Sequence, residues 1–225
     1  AGGNVFTFVQ NIEKISFLEA VVKIAKSVGI NIDDALTPAI AVDPRKLALT
    51  QVLKESINYF KYQLNASDGR MIKDYLSKRG INESLIDKFE VGYNPGEDQC
   101  SKFLIAKGYP HNDIVAANIS RVNGKQFSDV FANRIVFPIH DEHGSPIGFT
   151  ARTVLADESA KYINTTETEL YIKGQIIYNY HRALSEVKKA GFVIVAEGVT
   201  DVIAFYRAKI QNVVATLGTA ATNEQ

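Results

Sequence analysis

Phe192-Val-Ile-Val-Ala-Glu197-Gly198-Val-Thr-Asp201 is the stretch whose reading decides the fold. Five consecutive apolar residues predict a buried strand. A carboxylate stands at its C-terminal end, then a glycine, then a second carboxylate in the first turn of a helix expected near 200–209. Val213–Leu217 is a second apolar run. Strand, helix and strand at this spacing form a βαβ unit with a parallel pair. Open α/β sheets bind ligands beyond the carboxyl ends of their strands, which is where Glu197 and Asp201 fall. Two carboxylates there repel unless a cation or a proton lies between them. Mg²⁺ suits such a place, because it takes one or two carboxylates, several waters and substrate phosphates. The plainer alternative is that Asp201 offsets the helix dipole and Glu197 is a solvated loop residue. Thr216-Leu217-Gly218-Thr219 ends the second strand in a similar way. Its glycine permits close backbone approach by a phosphate, or marks an ordinary strand exit.

Upstream lies a helix near 180–190, and before it a polar segment, 156–175. Arg152, Lys161, Tyr162, Asn164 and Lys173 mix cations, an aromatic ring and an amide there. Arg and Lys suit phosphates and Tyr can stack a base. Asp157, Glu158, Glu167 and Glu169 are interleaved, so a solvated loop is the competing reading. Further back, Arg134-Ile-Val-Phe-Pro-Ile139 and Ile147–Val154 predict a β-hairpin turned at Asp141-Glu-His-Gly144. Pro138 is expected at an edge, or where no ladder donor is required.

The first half reads helical. Ser16 with Glu19 forms a capping-box pattern, and Gly29 is a good stop. Residues 31–46, with three Asp and two Pro, read as a connector. A long helix follows through Leu47–Leu64, and Ser67 is expected to cap the next one, ending at Gly80. Asn82 is expected to cap a short helix, residues 91–96 a turn, and short helices near 99–107 and 111–117.

Composition narrows the function. The chain has 225 residues, 46% of them hydrophobic and 22% charged, in the ordinary globular range. Lys+Arg and Asp+Glu are 25 each, which excludes a polybasic DNA binder and leaves any nucleic-acid contact to a local patch. The single Cys100 excludes an internal disulfide framework and a multi-cysteine zinc cluster. The four histidines show no zinc-ligand spacing with cysteines, and His140 and His143, flanking a turn, read as surface residues. No apolar run is long enough to cross a membrane and no signal peptide is visible, so a soluble, cytoplasmic protein is expected.

Taken in order, these motifs resemble the bacterial DnaG-type DNA primases along nearly the whole chain. Ala1–Val9 with Ser16–Ala20 resembles the segment that follows the primase zinc-binding domain. Asp74–Gly80 with Phe89–Tyr93 resembles the helical start of the RNA polymerase domain. Arg134–Ile139, Gly148–Arg152 and Lys161-Tyr-Ile-Asn164-Thr-Thr-Glu-Thr168 resemble its central motifs. Glu197–Asp201 and Ala215–Thr219 resemble the opening of its Toprim fold. Thr165-Thr166 and Val199-Thr200 depart from the usual Ser-Pro and Tyr-Met, which suggests a divergent or accessory primase.

The resemblance implies an α/β protein, with an α+β N-terminal lobe followed by the start of a parallel Toprim-type fold. Residues 1–33 would be the tail of the zinc-binding domain and a linker helix, 34–172 the N-terminal lobe, and 173–225 part of the Toprim domain. The chain is expected to be a segment of a larger primase and inactive alone. Its parent would copy single-stranded DNA with ribonucleoside triphosphates by metal-dependent nucleotidyl transfer. Glu197 would be a metal ligand or an acid/base, and Asp201 would hold a second metal or its waters. Arg134, Arg152, Lys161, Tyr162, Asn164 and Lys173 would guide template and nucleotide. Mg²⁺ or Mn²⁺ would serve the Toprim site, with zinc in the N-terminal domain and the replicative helicase meeting a C-terminal one. The rivals are a non-catalytic module that binds single-stranded DNA or a replication partner, and another Toprim enzyme, a topoisomerase or nuclease.

Overall fold

The computed structural model describes residues 4–13, 15, 17–30, 43–124, 126–155, 158, 160–217 and 222. It divides into two units, Ala1–Pro44 and Arg45–Gln225. The first holds two short helices, α1 (Val5–Glu13) and α2 (Phe17–Ser27). The Asn4 side chain accepts from the Thr7 N–H at 2.9 Å, which caps α1. Gly29 takes a φ of 72° beyond α2, as a stop residue should. Ser16, the expected cap, lies outside the described residues, as do positions 31–42 of the expected connector.

In the second unit α3 (Pro44–Asn65) is followed by a 3-10 turn (Ser67–Gly69), α4 (Arg70–Lys78), α5 (Glu83–Lys88), β1 (Gly92–Asn94), α6 (Gln99–Ala106) and α7 (His111–Ala116). Then come β2 (Ser120–Asn123), β3 (Gln126–Asp129), β4 (Arg134–His140), β5 (Pro146–Thr153) and β6 (Tyr162–Asn164). A 3-10 turn (Lys173–Gln175), α8 (Tyr180–Ala190), β7 (Ile194–Ala196), α9 (Val199–Arg207) and β8 (Val213–Ala215) complete it. The main sheet has the order β1-β4-β5-β6, antiparallel throughout. β2 and β3 form a separate hairpin, and β7 and β8 a parallel pair joined through α9, as the βαβ reading predicts.

The unbroken apolar run of β4 has a structural cause. Ile135, Phe137 and Ile139 face one core, with Leu76, Phe89, Val202 and Val213. Val136 faces the other, with Leu53, Phe60, Phe131 and Phe149. A strand covered on both faces shows no alternation. Register shifts after Ile139, opposite Gly148, so that His140 pairs with Pro146. This bulge puts Ile147 in the first core although Phe149 and Ala151 face the second. Pro138 opposes Phe149, whose N–H and C=O both turn to Thr165 on the β6 side. The backbone of Pro138 therefore faces the β1 side, where β1 has already ended opposite Val136, and no donor is required.

Several expectations are corrected. Ser67 does not cap α4; it sits inside the 3-10 turn, with its hydroxyl on Asp68. Residues 92–94, expected as a turn, are a strand, and Gly92 explains why it fits. A Cβ there would lie 2.4 Å from Phe60 Cβ and 2.7 Å from the Phe60 carbonyl carbon. The missing side chain lets α3 pack directly on β1. Gly92→Ala is expected to cost about 1–3 kcal/mol by overpacking, read from urea unfolding; an unchanged midpoint would refute the close approach. Asn82 does cap α5, accepting from the Leu85 N–H at 3.0 Å.

The run 192–196 was expected to be buried, but Val195 is 61% exposed and Phe192 60%. Ile194 and Ala196 pack on the first core, while the other face of β7 meets none of the described residues closely enough to cover it. His140, expected at the surface, is only 5% exposed, because β4 runs on into the interior as far as this residue. Its Nε2 lies 3.0 Å from Glu90 Oε2.

Candidate active site and nucleic-acid cleft

Two neighbouring hollows hold most of the sequence-predicted residues. The first is a crevice of about 260 Å³ lined by Thr150, Tyr162, Asn164, Glu197, Gly198, Thr200, Asp201 and Leu217. Glu197 sits in the loop between β7 and α9, so the βαβ geometry carries it to the strand's carboxyl end. Asp201 lies in the first turn of α9, and its Oδ2 accepts from the Gly198 N–H at 3.1 Å. One carboxylate oxygen is thus engaged as a helix cap, at the helix end where the plainer reading of the sequence has Asp201 offset the dipole. Both carboxylates nevertheless line the same crevice.

β6 forms the opposite wall. Its register pairs Asn164 with Thr150 and Tyr162 with Arg152. Tyr162 and Asn164 are two residues apart, so they share a face, while Ile163 packs into the second core. The Asn164 amide donates to the Leu217 carbonyl at 3.1 Å. Leu217 has a φ of 58°, unusual for a branched residue. This bond ties the main sheet to the loop after β8. Gly218 and Thr219, singled out in that loop, lie outside the described residues.

The second hollow, about 570 Å³, is lined by Asp68, Tyr75, Arg79, Tyr93, Arg152, Glu158 and Lys161, among others. Arg152 lines this second hollow and reaches the first through Tyr162. Its Nη1 donates to the Tyr162 hydroxyl at 3.0 Å, and its guanidinium lies 5.2 Å from the Tyr162 ring centroid and 5.8 Å from that of Tyr75. Arg79 covers Tyr75 in turn, at 4.9 Å. The cleft is therefore a row of guanidinium and phenol planes, each held by its neighbour. The Tyr162 hydroxyl is also 3.5 Å from Thr200 Oγ1, which reaches it from the acidic loop.

Tyr75 and Arg79 were not picked out from the sequence. They lie on and just after α4, more than 70 residues before Arg152, and nothing in their local spacing marks them. The signal is the Arg79-Gly80 pair. Gly80 has a φ of 76°, and a Cβ there would meet Arg207 Nη1 at 1.8 Å. Arg207, at the end of α9, donates to the Arg79 carbonyl at 3.3 Å. The bare glycine thus lets the βαβ half dock on the end of α4, next to Arg79.

Arg134 and Lys173 are not brought into either hollow. Arg134 is 3% exposed; its guanidinium forms an ion pair with Glu158 and donates to the Ala160 carbonyl at 3.1 Å. It holds from beneath the loop that presents Lys161 and Tyr162. The exposed Lys173 begins a 3-10 turn and donates its backbone N–H to Glu167 Oε1 at 3.0 Å. Among the described residues, no group of three or more His, Cys, Asp and Glu side chains is arranged to hold a metal ion. Glu197 and Asp201 are hard oxygen donors of the kind a Mg²⁺-type ion accepts. No described helix is long and apolar enough to cross a membrane.

Comparison with known proteins gives these hollows their context. Residues 59–184 match the family described as DNA primase catalytic core, N-terminal domain, and residues 191–225 match the Toprim domain. The DNA primase of Halalkalibacterium halodurans is 32% identical over 232 residues, covering 100% of this chain and 38% of that protein. The DNA primase of Clostridium acetobutylicum is 36% identical over 225 residues, covering 99% and 37%. The chain thus spans under two-fifths of the length of these relatives. Among solved structures, the Aquifex aeolicus primase (zinc-binding and RNA polymerase domains) superposes with a TM-score of 0.76 at 29% identity, over 100% of this chain and 54% of that one. A primase catalytic domain bound to single-stranded DNA superposes with a TM-score of 0.73 at 30% identity, over 80% and 56%. The antiparallel sheet flanked by helices, the βαβ unit behind it and these matches agree, and the chain belongs to the DNA primase catalytic-core family, with a Toprim portion from residue 191 onward.

Proposed function

We propose that this chain is the template- and nucleotide-handling part of a DNA primase that makes short RNA primers on single-stranded DNA. The observation that carries the reading is the junction at Tyr162. This one side chain lines the acidic crevice, and its bond to Arg152 joins that crevice to the cationic cleft. A polymerase needs such a junction, because the strand and the reacting phosphate must meet. The chemistry proposed is attack of a primer 3′-oxygen on the α-phosphate of a ribonucleoside triphosphate, with pyrophosphate leaving. Mg²⁺ or Mn²⁺, when bound, would stabilise the attacking and leaving oxygens. Glu197 would hold it from the strand end, and Asp201 would offer the oxygen that is not capping α9.

In this proposal Arg152, Lys161 and Arg79 carry the phosphates and Tyr162 stacks a base or sugar. Arg134 acts through the loop it supports, and Asn164 through Leu217. Lys173 would meet the strand or nucleotide outside the two hollows. The division near residue 172 into an N-terminal lobe and a Toprim portion, with 1–33 as the end of a zinc-binding domain and its linker, belongs to the same proposal. So do the zinc of that domain and a helicase partner elsewhere in the full-length protein. The single-stranded DNA carried by the related catalytic domain supports a DNA template here.

Fluorescence anisotropy on a labelled single-stranded oligonucleotide at several salt concentrations tests the cleft. Lys161→Ala is expected to weaken binding and reduce the salt slope by about one ion. Tyr162→Ala is expected to cost about 1–3 kcal/mol. Unchanged affinity and slope in both variants would leave this segment a solvated loop.

A further inference from the structure

Behind the cleft, where the central strand ends, lies a cluster that the primase reading does not use. Glu90, His140, His181 and Arg182 meet there from three parts of the chain: the turn before β1, the end of β4 and the first turn of α8. His140 is buried, and its Nε2 is 3.0 Å from Glu90 Oε2. The same carboxylate oxygen is 3.3 Å from Arg182 Nη2. Glu90 holds this place with a left-handed φ of 53°. The ring centroids of His140 and His181 are 4.9 Å apart. The Nδ1 atoms of both imidazoles are buried and have no hydrogen-bond partner among the described residues.

This arrangement has the features of a metal-ligating pair. A ligating histidine usually donates its second ring N–H to a carboxylate, which fixes the tautomer and leaves the other nitrogen's lone pair free. Glu90 gives His140 that partner, and Nδ1 is the nitrogen left over. The ring spacing also fits. Imidazoles bound at about 2.0–2.1 Å to one ion, with angles of about 90–110° between them, have centroids about 4.5–5.3 Å apart. Burial, with Arg182 and His140 nearby, pulls the His181 imidazole down to about 4. A cavity of about 260 Å³ opens beside His140, lined also by Asp141, Glu142, Gln175 and Tyr180, with space for waters and two carboxylates to offset Arg182.

We propose that His140 and His181 form a binding site for a borderline divalent cation of the Zn²⁺, Co²⁺ or Ni²⁺ class, joining the end of β4 to the start of α8. With two imidazoles and no complete set of protein ligands, water fills its other positions, and a modest, micromolar affinity follows. The site is separate from the oxygen-donor crevice of Glu197 and Asp201 in both place and ligand chemistry. Imidazole selects the borderline ions, whereas carboxylate and water suit Mg²⁺ and Mn²⁺.

The test is thermal unfolding of the chelator-treated chain with Zn²⁺ alone, up to about 100 µM, and with Mg²⁺ at the same concentration. Zn²⁺ is expected to raise Tm by about 3–6 °C and Mg²⁺ to leave it unchanged. His181→Phe, which fills the same space without a ligand nitrogen, is expected to weaken the Zn²⁺ response at least about tenfold. His140→Gln should do the same, but if it fails to fold, His181→Phe alone decides. Glu197→Gln is expected to keep the full response. No Zn²⁺ shift, an undiminished shift in His181→Phe, or a shift lost in Glu197→Gln would each overturn the proposal.

Discussion

Glu197→Gln in the full-length protein is expected, on the proposed function, to lower primer synthesis by about 10³-fold, the loss typical of removing one group that stabilises a transition state. Gln keeps the size and the hydrogen-bonding capacity of the side chain but not its charge, and a neutral amide is a poor ligand for a hard cation. Glu197 is exposed in the loop after β7, so the change leaves the fold intact. The row of Arg79, Tyr75, Arg152 and Tyr162 does not involve its carboxylate, and template affinity should stay within about twofold. Gel-resolved primer yield, together with anisotropy on the template, checks both halves. Near-normal yield would remove Glu197 from the chemistry, and a parallel loss of template binding would make it a structural residue.

The second large effect is on stability. Asp129→Ala is expected to destabilise the chain by about 3–5 kcal/mol, because it strands buried donors around a lost charge. Asp129, at the end of β3, is fully buried. It accepts from Asn94 Nδ2 at 3.1 Å, from the backbone N–H groups of Cys100 and Ser101 at 2.9 and 3.0 Å, and from the Ser101 hydroxyl. The first turn of α6 is thus capped by a carboxylate from a distant strand, at the helix end where negative charge is favoured. Asp129→Asn replaces one acceptor with a donor and should cost less, about 2 kcal/mol. Urea unfolding monitored by far-UV circular dichroism measures both. A loss below about 1 kcal/mol for Asp129→Ala would contradict this account of the cap.

The parts of the fold with strong local signals were legible in the sequence. The 134–154 hairpin declared itself by two apolar runs around Asp141–Gly144, and the βαβ unit by its spacing. β1 was hidden because Pro95 and Gly96 punctuate three residues that read as a turn, and only the contact of Gly92 with Phe60 makes them a strand. β6 was hidden because Tyr162-Ile-Asn164 is too short to show alternation within a polar segment. The exposure of β7 was not legible either. An apolar run reports what a strand can bury, not whether both of its faces are covered.

The candidate site shows the same division. Glu197 and Asp201 were found because both lie in one short motif at a strand end. Tyr162, Asn164, Arg152 and Lys161 were found as a cluster of residue types, without the geometry that splits them between two hollows. Arg134 carried the same chemical signal, but its guanidinium turns inward to Glu158 and Ala160. Residue type cannot reveal that inversion. Tyr75 and Arg79 join the cleft only through tertiary packing of α4 against β5. The His140–His181 contact likewise depends on how far β4 runs before its bulge.

Template-dependent ribonucleotide incorporation tests the central claim most directly. The full-length protein that contains this chain is incubated with a single-stranded DNA of defined sequence, labelled ribonucleoside triphosphates and Mg²⁺, and the products are resolved by length and digested with alkali. The account predicts short, alkali-labile strands complementary to the template, absent without template and absent with Glu197→Gln. DNA binding with no polymer formed, or relaxation or cleavage of the DNA in place of synthesis, would contradict it.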